Sequence, residues 1–313
     1  TELPWDTDLG DGMTLSDQMK KSALEAAALY ALLPTLAQKE GLSVTQETLD
    51  QLESQRAQAV ETLGNEELAE RSFWYQMLTW DLLSQMSTCA DLHLQLQNLY
   101  FGEGSEGYPT DAEVLAYAQD ELGVYRAKHI LLATKNVETG EALDEEAAAQ
   151  KKATAEDLLA QLRAAEDPVA LFDELMNEYS EDPGLASYPD GYTAYKGQMV
   201  PEFEEAALAL KDGEISDVVY SESTGYHIIL RLPLDPADYR NQLVAQLMQG
   251  KTDAWLEEYG LETMDAYDQL DPAAFREKVV SMKAAVQQEV NAVLEAKEQE
   301  SSDSSSAASS QEG

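Results

Sequence analysis

The chain carries three histidines and one cysteine, so imidazole and thiol chemistry have few residues to draw on. His129 lies in the run YRAKHILLAT and His227 in GYHIILRLP, and both runs read as strands. Side chains alternate faces along a strand. Ile130 and Leu132 therefore share one face while His129 and Leu131 share the other, and in the closing strand Ile228 and Leu230 lie opposite His227. With the apolar faces packed under helices, both histidines emerge on the far side of one sheet and meet in a shallow pocket. Met199 and Phe203 add an apolar pair at the start of the helical run VPEFEEAALALKDGEIS. There Pro201 suits the first turn, and Glu202, Glu204 and Glu205 complement the helix dipole. Taken singly, each feature has a plainer reading. A strand histidine is usually structural, a Met/Phe pair four apart is usually core packing, and Asp182 before Pro183-Gly184 is a turn former.

Other chemistries find little support. No His/Cys cluster has zinc spacing, and no loop has the pattern that cradles a phosphate; GEGSEG reads as a plain loop. No metal or cofactor is expected. The single Cys89 cannot form an intramolecular disulfide and sits in a periodic apolar helix, so it reads as a buried, inert thiol. His93, with Asp91 nearby, reads as a helix-surface residue.

The elements that must position these residues follow from the rest of the chain. At 313 residues the length allows two or three domains, and 44% hydrophobic residues suffice for real cores. With 60 acidic and 20 basic residues the formal charge is −40. Nucleic acid and anionic membrane surfaces are therefore poor partners, because their phosphates are repelled. Solubility explains the acidity as well as any binding role does. No stretch approaches the apolar length that spans a bilayer. The chain starts at Thr1 without methionine, which reads as a processed product whose signal peptide or anchor is absent.

Before Tyr125 the pattern is helical. One helix is expected from about Ser16 to Lys39, with Pro34 as a kink or division point. A second follows to about Leu63, opened by a capping box of Ser43 and Gln46 and stopped by Gly64. A long third helix is expected from Glu66 to Leu96, ended by the loop FGEGSEGYP. Thr110 and Glu113 then cap a helix to about Leu122. After Pro233, DPADYRNQLVAQLMQ, TDAWLEEYG and the segment from Pro272 to about Lys297 all read as helices. Asp271-Pro272 forms the cap and first turn of the last one. Its stripe of Phe275, Val279, Met282, Val286, Val290, Val293 and Leu294 needs a partner. Either the N-terminal helices cover it, leaving residues 124–234 as an insertion, or a second copy does. The tail from residue 300 has almost no apolar content and is expected to be disordered.

Five blocks inside the central segment, AKHILL, FDELMNEYSED, GQMVPEFEEAALAL, GEISDVV and GYHIIL, resemble a parvulin-type peptidyl-prolyl cis/trans isomerase domain, in the family's order and spacing. They cover roughly a third of the chain, and five ordered blocks are far more specific than one short motif. The preceding helical segment resembles that of extracytoplasmic foldases of the PrsA and SurA types, through GLSVTQETLDQL. The resemblance implies an α+β fold: a small antiparallel sheet with helices, inserted in a helical chaperone domain built from N- and C-terminal helices. The expected division is 1–123 helical chaperone segment, 124–234 isomerase domain, 235–299 C-terminal helices and 300–313 tail. The family's site falls on His129, Asp182 and His227 as catalytic residues and on Met199 and Phe203 as the proline slot. Ser221 matches a hydroxyl position that some members use. Two departures stand out. The Gly-Asp-Leu-Gly turn of many relatives is here Pro189-Asp190-Gly191-Tyr192, and the aromatic expected before GQM falls on Ala194, with Tyr195 next door to take its part.

The resemblance implies isomerisation of X-Pro amides. That bond rotates over tens to hundreds of seconds against a barrier of about 18–20 kcal/mol. No bond to carbon breaks, so neither nucleophile nor metal is needed; a protein can hold the ring and stabilise the twisted amide. The expected clients are unfolded or proline-containing polypeptides, met outside the cytoplasm in a bacterial cell envelope, with an anchor outside this chain and a homodimer through the helical stripe both compatible. The loop after the first strand offers Lys135 but no arginine cluster, which excludes a phosphoserine-proline preference. The competing function is a holdase whose parvulin domain binds extended chains without useful catalysis; a purely structural acidic scaffold leaves the paired histidines unexplained.

Overall fold

The computed structural model describes residues 3–10, 12–136 and 139–309. In chain order the elements are α1 (Leu15–Lys39), α2 (Gln46–Leu63), α3 (Glu66–Ser72), α4 (Trp80–Phe101), α5 (Asp111–Ala116), β1 (Val124–Ala133), α6 (Glu145–Ala164), α7 (Pro168–Tyr179), β2 (Tyr192–Tyr195), α8 (Pro201–Ala209), β3 (Val219–Ser221), β4 (Gly225–Leu232), α9 (Ala237–Tyr259), α10 (Asp265–Asp268) and α11 (Pro272–Ser309). They form two compact units, one of Thr1–Tyr108 with Ala245–Gly313, the other of Pro109–Val244.

The first unit is helical and draws on both ends of the chain. Helix α1 continues through Pro34, so the chain does not divide there. Proline has no N–H for the carbonyl four residues back, which is that of Tyr30. The Cys89 thiol approaches that carbonyl at 3.4 Å, so the one cysteine partners the one acceptor that the proline frees. It is buried as expected, and burial pushes its pKa up. The N-cap of α2 is Thr45, not Ser43: its hydroxyl accepts from Thr48 N at 3.3 Å, while Asp91 of α4 takes the Thr45 amide at 2.7 Å and its hydroxyl at 3.1 Å. Gly64 stops α2 in the left-handed conformation at φ 66°, as expected.

The expected long third helix is broken. After α3 comes a tight 3₁₀ turn, Phe73–Gln76, then Met77 at φ 59°. Thr79 re-caps the chain as α4, accepting from Leu82 N at 3.1 Å. The Phe73 and Trp80 rings meet across this break, 4.8 Å apart. Conversely, the first two helices expected after Pro233 are one, since α9 passes through Gly250. Asp271 caps α11, accepting from Ala273 N and Ala274 N at 2.9 and 3.1 Å. The stripe finds its partner within the chain: Val286 and Val290 pack with Leu63, Leu68 and Ala69. Arg71 forks onto Glu289 at 2.7 and 2.8 Å, and Lys297 Nζ donates to the last carbonyls of α2, the Thr62 contact being 2.7 Å. Phe275, Met282 and Leu294 are not part of this packing and are exposed, Phe275 to 59%. Helix α11 continues to Ser309, past the expected onset of a disordered tail. Once nucleated, a helix gains one backbone hydrogen bond for each residue it adds. Residues 310–313 of that tail lie outside the described residues.

The second unit is built on a four-stranded antiparallel sheet of order β2-β1-β4-β3. Strand parity holds. Ile130, Leu132, Ile228 and Leu230 face α6 and α7, packing with Leu158, Leu162 and Phe172. Tyr125, Ala127 and Ile229 face the other way, against Phe203 and Ala207 of α8 and Ala194 of β2. Thr110 and Glu113 form the expected capping box; the helix it opens becomes a π-turn at Tyr117–Glu121 before β1. The edge strands β2 (YTAY) and β3 (VYS) complete the sheet beyond the two strands read from the sequence. Under α8, the buried Arg231 donates to the Ala207 carbonyl at 3.1 Å, placing a cation at the helix's C-terminal end where the dipole favours it. This pins α8 to β4.

Candidate active site

Strand β4 lies beside β1 in a register that pairs His129 with Ile229 and Leu131 with His227. The two histidines are therefore diagonal neighbours on one face. Their rings stack at 5.1 Å with 9° between planes, and their Nδ1 atoms are 2.8 Å apart. Phe203 stands edge-on to both, 5.2 Å from His129 and 5.7 Å from His227. Pro201 starts the short helix that carries it. Met199 is half-buried beside the same cluster.

Asp182 reaches the pair because its segment is laced to the part of β1 that β2 leaves uncovered. Leu131 N donates to Ser180 Oγ at 3.1 Å, Glu181 N to the Leu131 carbonyl at 2.8 Å, and Ala133 N to Glu181 Oε2 at 2.8 Å. The carboxylate then lies 3.2 Å from His129 Nε2. Tyr192 Oη donates to the same oxygen, Oδ2, at 2.6 Å, and Gly184 N donates to Oδ1 at 3.1 Å. Burial alone raises the pKa of this carboxyl, but the hydrogen bonds from His129, Tyr192 and the Gly184 amide outweigh it and bring it down to about 2. Asp182 is an anion at neutral pH, with donors on both oxygens.

These contacts set a direction for the protons. Asp182 can only accept, so His129 Nε2 donates. With both rings neutral, His129 Nδ1 accepts from His227 Nδ1, and His227 Nε2 accepts from Thr224 Oγ1, 2.7 Å away. The chain runs Thr224, His227, His129, Asp182, and Tyr192 closes its far end. Burial, reinforced by repulsion from His129, lowers the His227 pKa to about 3 against the usual 6.5, and Asp182 opposes this only in part. His227 is a neutral relay, buried to 2% exposure.

The remaining expected residues fall elsewhere. Tyr195 is 46% exposed and pairs with Val124, on the sheet face opposite the histidines. Ala194 faces inward beside Tyr125, and the aromatic that reaches His129 is Tyr192, two residues earlier, with ring centroids 5.9 Å apart. A strand's twofold period forbids Tyr195 from replacing Ala194. Ser221 is buried and bonds to Ser223 Oγ at 2.9 Å, and the hydroxyl on the histidine pair is that of Thr224. Its position three residues before His227, in the turn that opens β4, is the one sequence signal for it. His93 is half-buried on α4 rather than a surface residue, and burial lowers its pKa. Among the described residues no group of three or more His, Cys, Asp or Glu side chains is arranged to hold a metal ion.

The protonation states carry a stability consequence. Below pH 6.5 an unfolded chain takes up a proton on His227 that the folded one refuses down to about pH 3. The unfolded state binds more protons across that window, so stability falls as pH falls through it, by up to about 1.4 kcal/mol per unit. Asp182 acts later: its stabilisation is intact above the ordinary carboxylate range and is lost only as pH approaches about 2. Urea midpoints measured from pH 7 to 4 should decline for the native chain and decline less for His227→Gln. Equal slopes would show that His227 does not resist protonation.

Several known proteins resemble this chain over much of its length. A crystal structure of PrsA from Bacillus subtilis is 24% identical, aligned over 94% of this chain and 92% of that one, with a TM-score of 0.28. The foldase protein PrsA of Geobacillus kaustophilus is 34% identical over 170 residues, which are 50% of this chain and 53% of that protein. The foldase protein PrsA of Staphylococcus aureus is 31% identical over 273 residues, 81% of this chain and 78% of that protein. The family described as Rotamase, PPIC-type PPIASE domain, matches residues 129–232, the span from the first site histidine to the end of β4. The chain belongs to the PrsA foldase family, as a parvulin-type peptidyl-prolyl cis/trans isomerase and folding chaperone acting on polypeptide clients.

Proposed function

We propose that X-Pro amides are isomerised over the floor formed by His129, His227 and Asp182, with the proline ring in a slot between Met199 and Phe203. The observation that carries this is the stacked, hydrogen-bonded histidine pair beneath the edge of Phe203. A planar amide holds more negative charge on oxygen than a twisted one, because conjugation pushes nitrogen density onto the carbonyl. A fixed anion near that oxygen therefore destabilises the planar ground state relative to the transition state. Asp182, ionised and held by three donors, supplies such a charge without reorganising. Its low pKa rules it out as a proton donor at neutral pH, and Thr224 and Tyr192 act by orienting the floor. Asp182→Asn should lower kcat/KM on short X-Pro peptides about 10-fold, read by exchange NMR, with the fold retained. An unchanged rate in a folded variant would remove the anion from the mechanism.

The proposed setting is extracytoplasmic, in a bacterial cell envelope, on secreted or surface chains, as the kinship with PrsA foldases supports. Membrane attachment and a homodimer fit the same setting. Among the described residues no helix is long and apolar enough to cross a membrane. The charge of −40 opposes nucleic acid and phosphorylated peptides alike.

A further inference from the structure

Beside the histidine floor the chain builds an aromatic shelf. The Tyr192 ring meets His129 edge-on at 5.9 Å, and on its other side the Tyr188 ring lies 4.8 Å away, tilted by 37°. Tyr192 is half-buried with its hydroxyl on Asp182, whereas Tyr188 is 54% exposed. Resting on proposed site residues, we infer that Tyr188 is a specificity-determining residue: with Tyr192 it forms a subsite for an aromatic side chain of the client, close in sequence to the proline being isomerised.

The shelf is built, not incidental. Tyr188 N donates to the Gly184 carbonyl at 3.0 Å, and its own carbonyl accepts from Gly191 N at 3.0 Å. Pro189 further confines the Tyr188 backbone to extended geometry. Both neighbours are glycines for steric reasons. A Cβ at Gly184 would collide with the Tyr192 hydroxyl, and one at Gly191 would come within 2.8 Å of the Ala127 carbonyl on a backbone already at φ 91°. The loop that carries the exposed ring is thus anchored through Gly184 and Asp182 to the catalytic floor itself. An exposed aromatic held in one orientation loses little freedom on binding a second ring, and such pairs favour offset or tilted stacking. Tyr188 lies two ring contacts from His129. An extended client advances about 3.4 Å per residue, so a side chain within about three residues of the proline reaches the shelf. The slot of Met199 and Phe203 recognises the proline ring and is common to every X-Pro client. The shelf distinguishes among those clients.

The test is exchange NMR on short proline peptides in which Phe, Lys or Ala occupies each of three positions on either side of the proline, with the full chain, Tyr188→Ala and Tyr188→Phe. The expected result is one position at which Phe raises kcat/KM about fivefold over Ala, the ~1 kcal/mol of an aromatic pair. That ratio should fall to within about twofold of unity in Tyr188→Ala and persist in Tyr188→Phe. A preference for Phe that Tyr188→Ala leaves intact overturns the assignment, as does a preference for Lys over Phe at that position. Turnover with a flat profile in the native chain overturns the shelf alone. No turnover of any peptide overturns the reading of the site and the shelf with it.

Discussion

Phe203→Ala should abolish most isomerase turnover, lowering kcat/KM on short X-Pro peptides by about 100-fold or more, while the protein still suppresses aggregation of an unfolded client. The ring is 3% exposed, stands edge-on to both histidines and forms the wall of the proposed proline slot. A hundredfold loss corresponds to ~2.7 kcal/mol of transition-state stabilisation, about what burying one large apolar group provides. The same truncation leaves a hole next to Ala207 and Ile229, so the unit should also lose about 3 kcal/mol of stability. Phe203→Met separates the two effects. It fills most of the hole with a flexible chain, so it should recover much of the stability but less of the turnover. Exchange NMR and thermal melts on the three proteins check this. A folded Phe203→Ala protein with native turnover would move the proline slot elsewhere.

Gly225→Ala should have the largest effect on stability, about 3–4 kcal/mol, with loss of the folded isomerase unit at moderate temperature. Gly225 opens β4 at φ 140°, where L side chains are rarely found. A Cβ there would strike the Leu132 carbonyl and lie 2.7 Å from Thr134 N and 2.9 Å from Ala133 Cα. All three are backbone atoms of the central strand pair, which cannot give way without breaking the register that sets His227 diagonal to His129. Chemical denaturation of the variant checks it, and a cost below 1 kcal/mol would show that β1 yields more easily than its pairing implies.

The central strands, the parity of their histidines and the helix caps at Thr110, Gly64 and Asp271 were legible because each rests on local rules: a period of two, a capping spacing, a left-handed glycine. What was not legible depends on distant partners. Strands β2 and β3 have four and three residues and exist by hydrogen bonding to neighbours already in place. Thr45 caps α2 in place of Ser43 because Asp91, on another helix, holds it. The break at Met77 brings the Phe73 and Trp80 rings together, a contact that no helical period reveals. In the site, His129, Asp182, Phe203 and His227 come together as expected. Tyr192 and Thr224 escaped notice, since a phenol or hydroxyl gains its role only when folding places a carboxylate or imidazole beside it.

The insertion has a consequence for how the protein assembles. The helical unit is made of segments that lie on either side of Pro109–Val244 in the chain. Bringing them together across a flexible loop of that length costs closure entropy that grows as (3/2)RT ln n. Within the inserted unit, however, Arg240 bonds to the Pro109 carbonyl and to Asp111, so its two ends are held side by side. Once the isomerase unit has folded, the remaining closure is that of a short loop, a saving of about 3 kcal/mol. The isomerase unit can finish as soon as its own residues leave the ribosome, whereas α1–α4 must wait for α9 and α11. The inserted unit is in this sense the clamp on which the helical unit is assembled, and mutations that unfold it should weaken a unit to which they contribute no side chain.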